Sequence, residues 1–317
     1  MLRGYSGAVP SKRVLLTGAS SGIGLAAARA FADAGCDVAL VARHPGGLAV
    51  AADVVRARGR RAVVLPCDVS DQEAVDRAVA EAERSLGGID VVVANQAAPV
   101  FGPFADVSKR DFDRCVEVTF LATVNLARAA LPALERTHGV FVATGSIMTK
   151  LPMPTFSSYT ASKHALRGFL NSLRVELRAS GSPVRIAMLN PGPVDTPFWR
   201  HATSATGLQP RLPPEGYRPG VIARGLVELA FAPRAEVTIG GEGKAIELLW
   251  RCFRPGGDLV LRAVHHWYLS GRKRAPEPNA LWEPRGEGWE ETGPMLGRPS
   301  LTAPLRWRLR APKLLRR

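Results

Sequence analysis

Tyr159 and Lys163, in Tyr159-Thr-Ala-Ser-Lys163, lie in a stretch of helical patterning from Ser157 to Ala179, so they share one helix face. A phenol with a reference pKa of about 10 is a poor acid–base group near neutrality. A neighbouring ammonium, joined by the positive charge of an oxidised nicotinamide, favours the phenolate and brings that value down. Such a pair on its own is a common surface arrangement. Ser146 changes its meaning, because Ala143-Thr-Gly-Ser146 ends an apolar run one loop upstream, and catalytic groups of open α/β sheets gather at the carboxyl ends of strands. There a hydroxyl can donate to a carbonyl oxygen while Tyr159 delivers the proton. The chemistry is interconversion of a carbonyl and an alcohol.

A second constellation supplies the electron carrier. Thr17-Gly-Ala-Ser-Ser-Gly-Ile-Gly24 follows one apolar run and opens a helical one. The absence of side chains at Gly18, Gly22 and Gly24 lets backbone approach a pyrophosphate, with Ser20, Ser21 and Ile23 completing the loop and free N–H groups at the helix start meeting the anion. Gly22-Ile-Gly24-Leu-Ala-Ala27 satisfies G-x-G-x-x-A, and no Lys-Ser/Thr follows, which excludes a nucleoside-triphosphate loop. About 20 residues on, where an acidic residue would accept from a ribose 2′-OH, the chain has Val41-Ala42-Arg43. Arg43, assisted by Ser20 and His44, attracts a 2′-phosphate instead, so NADP(H) is preferred over NAD(H).

The elements that must hold these groups are visible as alternation. Val14-Leu-Leu, Asp37 to Val41, Ala62 to Leu65, Ile89 to Val93, Val140 to Ala143 and Val184 to Leu189 are near-continuous apolar runs, as expected of parallel strands covered on both faces. Helical stretches such as Gly22 to Ala34, Asp71 to Leu86 and Ser157 to Ala179 separate them, and about Val221 to Phe231 and Glu236 to Ile239 add a last helix and strand. The fold class is α/β, a doubly wound Rossmann-type parallel sheet with helices on both faces. Residues 1–243 form the catalytic domain, 244–270 a helical extension and 271–317 a basic, Pro/Gly-rich, partly mobile tail. In the extension, Ala245 to Phe253 and Leu259 to Leu269 read as two short helices split by Pro255-Gly-Gly.

With Cys67-Asp68-Val69 and Asn190-Pro-Gly-Pro-Val-Asp-Thr196 added to the glycine loop, Ser146 and Tyr159-x-x-x-Lys163, the chain from about Ser11 to Gly241 resembles the short-chain dehydrogenases/reductases. The resemblance implies about seven parallel strands, with Asp68 and Val69 at the adenine and Lys163 also on the nicotinamide ribose. It further implies Pro191 to Thr196, including Val194, beside the nicotinamide, and oligomers built on the long helices. Two departures stand out. The family's Asn-Asn-Ala-Gly is Ala94-Asn95-Gln96-Ala97, which keeps Asn95 as an anchor but puts Ala97 beside the cofactor. Its catalytic Asn aligns with Thr119, whose hydroxyl and carbonyl would have to serve a modified proton relay. A weakly active cofactor-binding scaffold or sensor is the competing reading.

The substrate side is apolar. Ile147, Met148, Leu151, Pro152, Met153, Pro154 and Phe156, with Val100, Phe101, Phe104, Phe198 and Trp199, are expected to form a mouth for a hydrophobic ketone, aldehyde or alcohol rather than a sugar. The scattered cysteines Cys36, Cys67, Cys115 and Cys252 make no C-x-x-C pair, so buried thiols are expected and no metal site. The net charge of +14 concentrates toward the carboxyl end, in Arg306, Arg308, Arg310, Lys313, Arg316 and Arg317, without a nucleic-acid signature. Contact of this extension with an anionic membrane surface is a subordinate expectation, raised by Trp250, Phe253, Leu259 and Trp267 beside Arg251, Arg254 and Arg262. No uninterrupted apolar run nears the roughly 18 residues of a membrane span, and Met1 to Pro10 lacks a signal's apolar core, so a cytoplasmic homo-oligomer is expected.

Overall fold

The computed structural model describes residues 11–213, 215–273, 280–284 and 286–298. The terminal basic cluster from Arg306 onward and Met1 to Pro10 lie outside the described residues. Seven strands form one parallel sheet: β1 (Arg13–Thr17), β2 (Asp37–Ala42), β3 (Ala62–Pro66), β4 (Val91–Ala94), β5 (Val140–Thr144), β6 (Arg185–Pro191) and β7 (Val237–Ile239). Their order is β3-β2-β1-β4-β5-β6-β7, so the chain winds outward in both directions from the β1–β4 boundary. In-register pairs such as Leu16↔Leu40 and Leu16↔Val93 put β-branched and aliphatic side chains on both faces. Each fully buried Leu or Val contributes about 1.5–3 kcal/mol, which is why such runs form central strands.

Helices α1 (Gly22–Asp33), α2 (Pro45–Arg56) and α8 (Pro219–Phe231) cover one face, and α3 (Gln72–Leu86), α5 (Ala122–Thr137) and α6 (Ser157–Ala179) the other. Local chemistry sets several of these boundaries. The Asp71 carboxylate accepts from the Ala74 N–H to start α3, and Gly87, at φ 81°, ends it in the left-handed conformation. Helix α4 (Lys109–Val116) starts on the Ser108 hydroxyl and runs without a break through a widened π turn, Glu117–Leu121, into α5. This continuous Lys109–Thr137 helix is long and apolar enough to cross a membrane by length and composition, contrary to the reading from uninterrupted runs. Its apolar residues Leu126, Ala130, Ala133 and Leu134 pack into the core on the α3 side of the sheet.

A third apolar cluster lies beyond the carboxyl ends of the strands, where α7 (Phe198–His201), α9 (Gly241–Cys252) and α10 (Arg254–Leu269) meet the body. It joins Phe101, Met148, Phe156 and Trp199 to Leu261, Tyr268, Leu281 and Met295. The extension thus packs on the catalytic domain. The expected break at Pro255-Gly-Gly is displaced: α9 ends at Cys252, and Pro255 sits in the first turn of α10, where its missing N–H costs nothing. Gly257 lets the two helices close, since a Cβ there would stand 2.5 Å from the Trp250 Cα. Residues 280–284 and 286–295 are irregular, as composition implies, and a short strand at Leu296–Arg298 pairs with Glu215–Tyr217.

Candidate active site

The glycine loop turns from β1 into α1 with Gly18 at φ 61° and Gly22 at φ 53°, backbone that favours glycine. A Cβ on Gly24 would lie 1.9 Å from the Gly18 carbonyl oxygen, so helix and loop meet there backbone to backbone. Gly18, Ser20, Ser21, Gly22 and Ile23 line a cavity of about 710 Å³ that runs past Arg43, Asp68, Val69 and Asn95 to Ser146, Tyr159 and Lys163. Pro191, Val194 and Thr196 border its far half. Gly24 is not on the wall; its role is the close packing beneath it. Glycine-shaped backbone, the helix-start donors beyond Gly22, whose N–H donates to the Glu290 carbonyl at 2.9 Å, and the Arg43 guanidinium fit a dinucleotide phosphate.

Helix α6 buries Ser158, Tyr159, Ser162, Lys163, Leu166 and Leu170, a stripe at helical spacing that turns Tyr159 and Lys163 toward β5 together. The Lys163 Nζ donates to the Thr144 carbonyl at 2.8 Å and lies 5.4 Å from the centre of the Tyr159 ring. Ser146 and Tyr159 line the same cavity, with the Ser146 hydroxyl near enough to the phenol to favour its ionised form. Ser146 is fixed in turn: its N–H donates to the Asn190 Oδ1 at 3.2 Å, and its Oγ accepts from the Met148 N–H at 3.1 Å. A Cβ on Gly145 would stand 2.0 Å from that Asn190 oxygen, so the preceding glycine is needed for the contact.

Burial dominates the electrostatics here. It pushes the Tyr159 phenol well above its ordinary value, with the Cys115 thiol adding to the rise and the Ser146 hydroxyl opposing it. It brings the Lys163 ammonium down to about 8. In the protein alone burial thus raises the phenol, whereas the lowering expected from the sequence joins the ammonium to the positive charge of an oxidised nicotinamide.

Thr119 departs from expectation. It lies in the π turn, and its hydroxyl accepts from the Ala98 N–H at 3.2 Å behind the cavity wall, which Val118 forms instead. Burial raises the nearby Cys115 thiol, and the Ser158, Thr119 and Ser162 hydroxyls around it oppose that rise. Cys36, Cys67 and Cys115 are buried as expected, whereas Cys252 is exposed. Among the described residues no group of His, Cys, Asp and Glu could hold a metal ion.

In the adenosine half, Asp68 accepts from the Ser70 N–H and hydroxyl and pairs with Arg114. Burial pushes this carboxyl up, but those hydrogen bonds hold it below its usual range. Arg114, which the sequence reading passed over, is almost fully buried on α4 and has no motif to mark it. The Arg43 guanidinium is half-buried and donates to the carbonyls of Ala280 (2.6 Å), Leu281 (3.1 Å) and Trp282 (3.2 Å). Burial lowers its pKa, Asp68 opposes that and Arg114 adds to it.

The apolar mouth is only partly as expected. Ile147, Met148, Met153, Phe198 and Trp199 line the cavity, and the extension adds Ile246, Val264, Trp267 and Tyr268. Leu151, Phe156, Val100 and Phe101 are instead buried beneath it, and Phe104 is 72% exposed on the surface. Asn190 and Asp195 were also missed in their roles. The Asp195 Oδ1 accepts from the N–H groups of Gly293 and Met295, contacts about 100 residues away that no local motif encodes.

Comparison with known proteins points the same way. The sequence model of the family described as short chain dehydrogenase matches residues 12–207. The Bacillus subtilis oxidoreductase YxnA is 32% identical over 285 residues, covering 88% of this chain and 80% of its own length. A Mycobacterium tuberculosis fatty acyl-CoA reductase is 35% identical over 233 residues, covering 72% and 78% respectively. The alcohol dehydrogenase of the archaeon Thermococcus sibiricus, solved with 5-hydroxy-NADP, superposes with a TM-score of 0.64 at 30% identity, covering 72% of this chain and 95% of that one.

Proposed function

From the premise that this chain belongs to the short-chain dehydrogenase/reductase family, NAD(P)-dependent oxidoreductases of CH–OH and C=O groups, we propose that it is an NADPH-preferring reductase of hydrophobic ketones or aldehydes. The observation that carries the reading is that Ser146, Tyr159 and Lys163 meet on the wall of one cavity, with the Lys163 Nζ 5.4 Å from the centre of the Tyr159 ring. Gly18, Ser20, Ser21, Gly22 and Ile23 would hold the pyrophosphate, Asp68 and Val69 the adenine, and Arg43 a 2′-phosphate. Asn95, Lys163, Pro191, Val194 and Thr196 would border the nicotinamide, which supplies a hydride when bound.

The side chains divide the remaining work. Ser146, oriented by Asn190, donates to the substrate oxygen and fixes its position. Tyr159, kept protonated by burial, hands its proton to the same oxygen as negative charge develops there. The Lys163 ammonium stabilises the tyrosinate that remains, and its bond to the Thr144 carbonyl holds it beneath the ring. Ile147, Met153, Phe198, Trp199 and Trp267 exclude water and select an apolar substrate. An intact Ser146–Tyr159–Lys163 arrangement favours turnover over the scaffold reading that Thr119 and Ala97 motivated. The test is NADPH oxidation with a panel of apolar ketones by wild type and Tyr159→Phe. A loss of about 10²–10⁴-fold is expected for a missing general acid, and equal rates would refute the chemistry.

A second reading concerns the outer face of α9 and α10. Leu248, Leu249, Phe253 and Leu259 are exposed there beside Arg251, Arg254 and Arg262, a composition suited to peripheral contact with an anionic bilayer. Sedimentation with phosphatidylserine vesicles tests it, and no difference between wild type and Phe253→Asp/Leu259→Asp rejects it.

A further inference from the structure

We propose that residues 280–284 and 286–295 form the outer wall of the cofactor site, a strap that opens to admit the dinucleotide and closes over it, with Trp289 as its positioning residue. The inference rests on the reading of the cleft as a nicotinamide-dinucleotide site. The strap lies outside the stretch matched by the family, residues 12–207, yet it crosses the cleft mouth between two built anchors.

The first anchor is at the adenosine end. Besides the three carbonyls held by Arg43, the Trp282 Nε1 donates to Asp111 at 2.8 Å, and the Arg110 guanidinium lies 4.1 Å from the centre of the Trp282 indole. Leu281 is buried in the apolar cluster beyond the strands. The second anchor is at the pyrophosphate end. The Glu290 carbonyl accepts from the Gly22 N–H at 2.9 Å, at the start of α1. Asp195 takes the N–H groups of Gly293 and Met295, and Arg29 pairs with Glu291 at 2.6 Å.

Trp289 spans the gap. Its ring is 5.0 Å from that of His44 and tilted by 34°. It rests on Gly46 and Gly47, where a Cβ would come within 2.5 and 3.0 Å of indole atoms. Two glycines in the first turn of α2 cost helix stability, roughly 1 kcal/mol each against alanine, and here they make the seat for one indole. Gly293 likewise fits where a Cβ would stand 2.3 Å from the Thr196 carbonyl oxygen. Gly46 and Gly47 on α2 thus leave room for the docked indole, Gly47 also for the Ser20 Cβ at 2.7 Å, and Gly293 lets the strap itself approach Thr196.

The strap is a roof and not a plug. The cavity of about 710 Å³ persists beneath it, with Ala280, Leu281 and Trp289 on one side and the glycine loop on the other. A dinucleotide reaching from Asp68 to Lys163 would lie under both anchors, so its release requires the strap to lift. Closure over a bound ligand lowers its dissociation rate by the free energy of the contacts that must break first.

The experiment is stopped-flow release of NADPH and of NADH from the full-length protein, with Trp289→Ala and Trp289→Phe. Trp289→Ala should speed release of both cofactors about tenfold, the size of a lost aromatic contact, and Trp289→Phe should restore most of it. Unchanged release in Trp289→Ala overturns the strap, and slower release or tighter binding overturns it in favour of an obstructing segment. If wild type binds NADPH and NADH, a failure of these outcomes leaves the dinucleotide site standing; if it binds neither, both readings fall together.

Discussion

Arg43→Ala separates the two tasks the structure gives this side chain. Arg114 is paired with both Asp68 and Glu117, which leaves the Arg43 guanidinium, bonded only to main-chain carbonyls, as the cation that can meet a 2′-phosphate. At an effective dielectric constant of 20, unit charges 4 Å apart attract by about 4 kcal/mol, and a 2′-phosphate carries more than one charge. Against this stand the three carbonyl bonds that Arg43 would yield or share, at roughly 1–2 kcal/mol each. The balance leaves about 2–3 kcal/mol in favour of NADPH, or about 30- to 150-fold in affinity. Titration by calorimetry with NADPH and NADH in parallel measures it. The variant should lose that factor for NADPH alone, plus a smaller loss common to both cofactors as residues 280–282 lose their anchor. An equal loss for the two, with their ratio unchanged, would show that Arg43 only ties down the strap and would refute the phosphate assignment.

Further outcomes follow from the same geometry. Burial places Lys163 at about 8, so its proton is lost well below the usual lysine range. kcat/KM for NADPH, which reports groups of the free enzyme, should be level below pH 8 and fall above it; a profile level to pH 10 contradicts the assignment. For stability the sign reverses. Between about 8 and the reference value of 10.5 the unfolded chain binds the additional proton, so this group makes stability rise with pH across that window. Gly24→Ala should lower the melting temperature, because the Cβ meets the Gly18 oxygen at 1.9 Å and overpacking costs about 1–3 kcal/mol; a raised melting temperature, as helix propensity alone would give, refutes the close approach. Asn190→Ala leaves the buried Ser146 N–H without its acceptor. It should cut kcat about tenfold or more while KM for NADPH holds, and unchanged turnover would remove Asn190 from the mechanism.

The sheet was legible because its signal is local. Val14-Leu-Leu and Val140 to Ala143 are apolar on both faces, a pattern that only a covered parallel strand explains, and the edges of α6 agree at both ends with the helical stretch from Ser157 to Ala179. The glycine loop and the Tyr159–Lys163 pair were legible for the same reason, since their partners lie within one turn or one loop. Pro255 was misread because proline has the same signature after a helix and in its first turn. Only the packing of Gly257 on Trp250 shows which applies. Phe104 and Phe101 illustrate the other limit: three residues apart and alike in type, one is exposed and the other fully buried, and hydrophobicity alone carries no direction.

What the sequence hid most completely is the docking of residues 280–284 and 286–295, and the reason is chemical. Arg43 reaches the Ala280, Leu281 and Trp282 carbonyls, more than 230 residues away, and three of the other groups that fasten the strap are also main-chain atoms: the Glu290 carbonyl and the Gly293 and Met295 N–H groups. Main-chain donors and acceptors are the same in every residue but proline, so no periodicity of side chains records them. A Pro/Gly-rich stretch therefore reads as loose when its backbone is satisfied by distant partners. The trace it leaves is on the receiving side. Gly46 and Gly47 in a helix start, with no turn to account for them, imply that something approaches closely, and in this protein it is the Trp289 indole. Unexplained glycines on a regular element are thus the feature by which a docked, patternless segment can be sought from sequence.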